Sequence, residues 1–154
     1  MEFTFQVLNN TRSIFKKIVE NNSLEDLNRI PKGFNNNIIW NIGHVVVSEQ
    51  LLVYKLSGLE SSLSDDMINK YRKDSKPQSN HNQAEVDQIK NVLHSTLEKT
   101  REDYYDNVFD KYNTYTVSTT GNTLTNIDEA LQFVAIHEGL HYGYVLALLK
   151  AIKS

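Results

Sequence analysis

The sequence has no cysteine and only two prolines and six glycines in its 154 residues. Without cysteine, disulfides, thiolate zinc sites and cysteine nucleophiles are excluded. Any metal must therefore be bound by histidine, carboxylate, backbone or water ligands. Both prolines, Pro31 and Pro77, lie where the apolar periodicity lapses. This scarcity of helix-breaking residues favours a few long helices joined by loops.

The chain also lacks a basic cluster and a long apolar run. Its net charge is −3, which argues against nucleic acid as a partner. No apolar run approaches the roughly 18 residues that a membrane span needs, so we expect no membrane partner. The first residues show no secretion signal, and a cytoplasmic location is expected. The length predicts a single domain over residues 1–154.

Apolar residues at three- and four-residue spacings predict four long helices, over about residues 3–21, 36–57, 82–109 and 126–151. In the first helix the apolar stripe is Val7, Ile14, Phe15 and Ile18. Together the four helices predict an all-α four-helix bundle.

The connecting segments are predicted from their polar residues. Ser23 is a good N-cap for a short turn, and Asn126 is a plausible cap for the last helix. Residues 59–80 are rich in Ser, Asp and Lys and are predicted to form one long loop. Residues 110–125 are either an extended loop or a short strand pair around Gly121.

The predicted last helix contains His137-Glu138-Gly139-Leu140-His141. Two histidines four residues apart lie on one face of a helix, so both rings can reach a single ion. At about 100° per residue they fall within the apolar stripe and should point into the bundle. Their burial costs desolvation free energy unless a metal or hydrogen bonds satisfy the ring nitrogens. The pair alone leaves both alternatives open.

The predicted second helix is apolar on two opposite sides, with a polar line between them that consists of Asn37, Asn41, His44 and Ser48. Because so apolar a helix is mostly buried, this line is expected to face something polar inside. His44 is its one good metal ligand. The alternative is a surface-facing strip in which His44 bonds to Asn41 or Ser48. Three neutral imidazoles would leave coordination positions open, as in catalytic metal sites.

Two further histidines are not included in this site. His81 lies in the predicted loop before the third helix, and His94 falls beside the apolar stripe of that helix. We therefore expect His94 near the surface and neither residue at the metal.

The segment from His137 to His141 also spells H-E-x-x-H, the zinc-protease motif in which Glu138 would be the general base. Ala147 stands where the extended motif needs a third histidine, and no acidic residue follows His141. A protease is therefore the least favoured alternative. Glu138 has two other candidate roles. It either fixes an imidazole tautomer as an acceptor or is a partly exposed carboxylate that pairs with a neighbouring helix.

Two segments together resemble the DinB/YfiT superfamily of metal-dependent enzymes: residues 31–44, which end in Trp40-Asn41-Ile42-Gly43-His44, and residues 137–143. The resemblance spans nearly the whole chain. It implies a four-helix bundle with a long crossover. It also implies a divalent ion, usually zinc or nickel, bound by His44, His137 and His141. Characterised relatives include thiol-dependent S-transferases and maleylpyruvate isomerase, and dimers are common.

The resemblance therefore implies a small-molecule substrate, with a low-molecular-weight thiol as one candidate, and a homodimer. Relatives often carry Arg-Gly-Gln after the last histidine, whereas this chain has Tyr142-Gly143-Tyr144. Tyr142 and Tyr144 either donate to a developing oxyanion or pack within the bundle.

We expect a divalent-metal-dependent enzyme of the hydrolase or thiol-transferase type. Glu138 is the candidate catalytic residue, and Asn41, Ser48 and Tyr144 are the candidate substrate-binding residues. The rival hypothesis is a helical bundle that acts as a binding module without catalysis. An open coordination position beside a pocket would favour the enzyme.

Overall fold

The computed structural model describes residues 1–154 and is mainly helical, which confirms the all-α prediction. Its elements are α1 (Glu2–Glu20), α2 (Leu24–Asn28), α3 (Ile38–Gln50) with a π-helical turn (Leu51–Lys55), α4 (Asp65–Tyr71), α5 (Gln83–Tyr105), β1 (Tyr115–Thr116), β2 (Thr123–Leu124) and α6 (Ile127–Ile152).

The four long helices form a bundle. α1 packs against α5 and α6, and α3 packs against the same two helices. The core between them is largely apolar, and α5 contributes six buried residues to it: Val86, Ile89, Leu93, Thr96, Leu97 and Thr100. None of the helices is both long enough and apolar enough to cross a membrane.

Side-chain caps set the starts of all the α-helices except α1. The predicted caps Ser23 and Asn126 each accept a hydrogen bond from a backbone N–H in the first turn. Asn82 begins α5 with a reciprocal capping box, in which Glu85 accepts from the Asn82 backbone. Each cap satisfies N–H groups that have no partner within the helix.

The buried face of α1 differs from the predicted stripe. Val7 and Ile14 are each 36% exposed, whereas the helix buries Phe5, Leu8, Arg12, Phe15 and Val19. These five positions alternate in spacings of three and four. The prediction was right for Phe15, which is fully buried, and for Ile18, which packs against the core, but wrong for Val7 and Ile14. The charged residue Arg12 lies in the middle of the buried face and interrupts its apolar pattern.

The segment 59–80 is not one long loop, because it contains α4. Ser64 caps this helix by accepting from the Met67 N–H, and two acidic residues follow in its first turn. These features were present in the sequence, but the helix has only seven residues, of which only Met67 and Tyr71 are buried. So short a helix gives little periodicity to detect.

α4 lies close against α3 at Gly43. A Cβ atom at this position would lie 2.7 Å from Cδ1 of the Tyr71 ring, which is nearer than carbon atoms approach without a clash. Gly43 therefore allows Tyr71 to be buried at the end of α4, next to His44.

The end of the predicted second helix is a π-helical turn in which the Leu56 N–H donates to the Leu51 carbonyl at 3.3 Å. Such a turn places residues five apart on the same side of the helix. In an α-helix they would lie about 140° apart.

Of the two alternatives for residues 110–125, the structure has the strand pair. β1 and β2 are antiparallel, with Tyr115 opposite Leu124 and Thr116 opposite Thr123.

Candidate metal centre

The structure brings together the three histidines that the sequence singled out. α3 contributes His44, and the facing helix α6 contributes His137 and His141. One ring nitrogen from each histidine lies within 4.8 Å of the others. His44 and His137 are buried and His141 is half-buried, so the cluster lies inside the bundle but is reachable.

A backbone carbonyl fixes the ring of His44. Its Nδ1 lies 2.6 Å from the carbonyl oxygen of Tyr71, at the end of α4. A carbonyl can only accept, so Nδ1 must carry the hydrogen and Nε2 keeps its lone pair. Trp40 stacks on the same ring, with 4.7 Å between centroids and an interplanar angle of 10°. Nε2 of His44 is thus oriented towards the other two histidines, with a lone pair that can bind a metal.

Asn41 fixes the ring of His141 in the same way. The Asn41 amide nitrogen donates to the backbone oxygen of Asn37 at 2.7 Å, which identifies it as the nitrogen side of the group. The Asn41 oxygen therefore faces His141 and accepts from its Nδ1 at 2.8 Å. The His141 Nε2 is left with a lone pair, as in His44. Outer hydrogen bonds of this type accompany histidine ligands in metal sites.

His137 completes the cluster. Its Nε2 lies 3.2 Å from the Nε2 of His141. Since the His141 nitrogen carries a lone pair, the two nitrogens repel unless His137 donates a proton or both bind one ion. Three imidazole nitrogens that converge in this way fit a divalent ion such as zinc or nickel.

The protonation state suits ligands as well. Burial lowers the pKa of His137 to about 4 and that of His141 to about 3, and nearby histidines add to each shift. Burial also lowers the pKa of His44, against the opposing hydrogen bond to Tyr71. All three rings are therefore neutral near pH 7, which is the state that binds a metal.

A cavity of about 650 Å³ opens onto the three histidines. Ser48 and Tyr144 line this cavity, as expected of substrate-binding candidates, and the Ser48 hydroxyl lies 3.3 Å from the His44 Nε2. Asn41 is not in the cavity wall. Asn41 was expected to contact the substrate, and the structure corrects this. Its side chain lies behind His141 and orients that ring.

The structure also corrects the position of Glu138, which does not line the cavity. Its Oε1 accepts from Arg12 Nη2 at 2.8 Å and from Arg12 Nε at 3.0 Å. Glu138 follows His137 directly, so it lies about 100° around the helix and faces α1 instead of the cluster. It pairs with a neighbouring helix, as one of the alternatives had it, but it is fully buried and not partly exposed.

Arg12 and Glu138 belong to a buried polar network that the sequence analysis missed. Arg12 also donates to Thr96 on α5, and its Nη2 lies 3.8 Å from Glu49 on α3. Burial raises the pKa of Glu138 to about 7, against the opposing charge of Arg12. The network joins all four long helices and so helps to fix the two helices that carry the histidines.

An all-α bundle with three inward histidines on two facing helices defines the class: helical proteins with a site compatible with a divalent metal. The chain belongs to the DinB superfamily, whose family model matches residues 8–145. This match covers all of α3, α6 as far as Val145, and all three histidines. No curated protein matches the chain.

Proposed function

We propose that this protein is a divalent-metal-dependent enzyme that acts on a small molecule, with thiol transfer as its reaction type. The observation that carries the proposal is the convergence of three histidine nitrogens, within 4.8 Å of one another, on an open cavity. Three ligands leave a tetrahedral ion at least one position for a substrate. A bound ion would supply Lewis-acid chemistry and lower the pKa of a thiol or water.

The side chains around the cluster have separate tasks in this proposal. Asn41 and the Tyr71 carbonyl hold the His141 and His44 rings with their Nε2 atoms forward. Ser48 is near enough to His44 to hydrogen-bond a substrate atom beside the cluster. Tyr144 lies in the cavity wall, where its hydroxyl is available to the substrate.

Thiol transfer is favoured over hydrolysis by the absence of a base. Glu138 was the candidate base, and it is buried against Arg12. None of the residues that line the cavity is acidic. A free thiol has a pKa of about 8.5, against about 15.7 for water, so it needs much less assistance to ionise. A low-molecular-weight thiol is therefore the proposed co-substrate.

Cobalt substitution tests this function. The protein is loaded with cobalt and titrated with a small thiol and, separately, with the alcohol of the same size. A thiolate that binds the cobalt adds a charge-transfer band to the visible spectrum, and the alcohol should not. His137→Ala should abolish the response, whereas His94→Ala, outside the cluster, should leave it intact. A cobalt-loaded protein that responds to neither thiols nor competing anions has a closed coordination sphere, and the proposal fails.

The rival function is a metal-stabilised binding module without catalysis. A filled coordination sphere in the cobalt experiment would favour it. The open cavity at the cluster supports the enzyme instead, because a purely structural ion needs no access for a second molecule.

A homodimer stays a prediction. α6 offers a face for it, since Ile136 and Leu146 are each about half exposed. Gly139 and Gly143 lie on the same helix, and a Cβ at either position would meet nothing within 4 Å. Sedimentation of the purified protein would test the dimer.

A further inference from the structure

The walls of the cavity carry positive charge only. Among its sixteen lining residues are two lysines, Lys55 and Lys73, and no acidic residue. This contrasts with the whole chain, whose net charge is −3. Neither lysine is in an ion pair, since the lysines that pair with carboxylates are Lys70, Lys90 and Lys99. The cavity therefore has two exposed lysines without an ion-pair partner, in addition to any charge that a bound ion would supply.

The remaining walls are largely apolar. Half of the lining residues are hydrophobic, and they include Leu51, Leu52, Leu56, Val117, Phe133 and Leu140. The π-helical turn contributes to this surface, because it places Leu51 and Leu56 on the same side of the helix. The cavity volume of about 650 Å³ is large enough for an organic molecule, and larger than a lone inorganic anion needs.

Lys73 is held near the cluster by a structured turn. It lies two residues after Tyr71, whose carbonyl accepts from His44. Ser75 accepts a hydrogen bond from the Trp40 indole at 3.1 Å, and its hydroxyl lies 2.7 Å from the Arg72 carbonyl. These contacts attach the turn to α3, so the backbone at Lys73 is held beside the cavity. Lys55 lies in the π-helical turn that also contributes leucines to the cavity wall.

From this arrangement we propose that the substrate of the cavity is an amphipathic anion, with an apolar body against the leucine-rich wall and an anionic group at Lys55 and Lys73. The inference rests on the proposed function in that it describes the substrate of the same site. It adds a selectivity that the three histidines alone do not give. A neutral molecule with the same apolar body should bind more weakly than the anion.

A matched pair of fluorescent probes tests this selectivity. The anion is 8-anilinonaphthalene-1-sulfonate, and N-phenyl-1-naphthylamine has the same rings without the sulfonate. Both are titrated into the metal-free and the zinc-loaded protein at low salt. Lys55→Gln and Lys73→Gln should each weaken sulfonate binding by about three- to fivefold and leave the neutral probe nearly unchanged. Lys17→Gln, an exposed lysine outside the cavity, removes the same charge and should change neither affinity.

The location of the probes is checked with Leu140→Gln, at a half-exposed cavity residue whose replacement leaves the core intact. This variant should weaken both probes. If it affects neither, the probes bind elsewhere and the inference is wrong. Equal binding of the two probes by the wild type, or an undiminished sulfonate preference in the double lysine variant, would also overturn it.

The metal-free measurement separates this inference from the proposed function. A sulfonate preference that depends on the lysines without metal supports the amphipathic anion, even if the cobalt protein ignores thiols. A protein that binds cobalt and thiols but shows no such preference refutes the amphipathic anion and leaves the proposed function standing.

Discussion

Replacement of Asn41 by alanine removes the group that orients one histidine of the cluster. The Asn41 side chain is 1% exposed, and its oxygen accepts from His141 Nδ1 at 2.8 Å. Its amide nitrogen is held by Asn37 and Asn36, at 2.7 and 2.8 Å. Alanine would leave the His141 ring free to turn and to move its proton to Nε2, the nitrogen that faces the other histidines.

The expected loss is large enough to measure. Removal of an outer hydrogen-bond partner of a metal ligand typically reduces metal affinity by about ten- to a hundredfold, or about 1.4–2.8 kcal/mol. If the proton stays on Nδ1, the variant also leaves this half-buried N–H of His141 without its acceptor. The free energy of unfolding of the metal-free protein should therefore fall by about 1–3 kcal/mol.

The assay is a competition between metal-free protein and a chromophoric zinc chelator, at a temperature where circular dichroism shows the variant to be folded. Asn91→Ala is the matched control, because Asn91 is an exposed amide on α5 far from the cluster in sequence. The Kd for zinc should rise for Asn41→Ala and stay constant for the control. A folded Asn41→Ala protein with wild-type affinity would refute the orienting role of this residue.

Three further predictions follow from the same site. Zinc at about a thousand times its Kd should raise the melting temperature by about 8–16 °C. Chelation should reverse this shift, and His137→Ala should abolish it. If calorimetry finds no such shift, the buried metal site is contradicted. Gly43→Ala should displace the Tyr71 ring that packs against Gly43, and with it the carbonyl that accepts from His44. The free energy of unfolding should fall by about 1–3 kcal/mol and zinc binding should weaken; unchanged values would show that α4 adjusts freely. If the three histidines had ordinary pKa values, the affinity of the site for zinc would fall about a thousandfold as the pH is lowered from 7.5 to 5.5, because protons compete for the ring nitrogens. Burial lowers these pKa values, that of His141 to about 3, so calorimetric titration should find a loss below about tenfold, and a thousandfold loss would contradict the neutral, buried cluster.

The long helices could be predicted because apolar spacing alone specifies their buried faces, as in α5. The face of α1 could not, since Arg12 is buried only through partners that are distant in sequence, above all Glu138. The one signal in the sequence was that Arg12 lies at three- and four-residue spacings from apolar residues of the same helix. α4 was missed for a different reason, because a seven-residue helix contributes few buried side chains to any pattern.

The three candidate metal ligands could be predicted from the sequence, but the orientation of their imidazole rings could not. The spacing of His137 and His141 and the polar line through His44 were local features of two helices. The groups that fix the rings come from elsewhere: the acceptor for His44 is the Tyr71 carbonyl, a backbone atom at the end of an unpredicted helix. Glu138 was wrongly expected to act at the metal. Which neighbouring helix its side chain contacts depends on how the bundle packs, and the sequence of α6 does not show this.

The central claim is that His44, His137 and His141 bind one divalent ion. Its most direct test is the metal content of protein purified without an affinity tag, supplied with zinc and dialysed, measured by elemental mass spectrometry. We expect close to one ion per chain in the wild type and in His81→Ala and His94→Ala, and almost none when any of the three clustered histidines is replaced. A wild-type protein that retains no ion, or a His137→Ala protein that retains as much as the wild type, would contradict it.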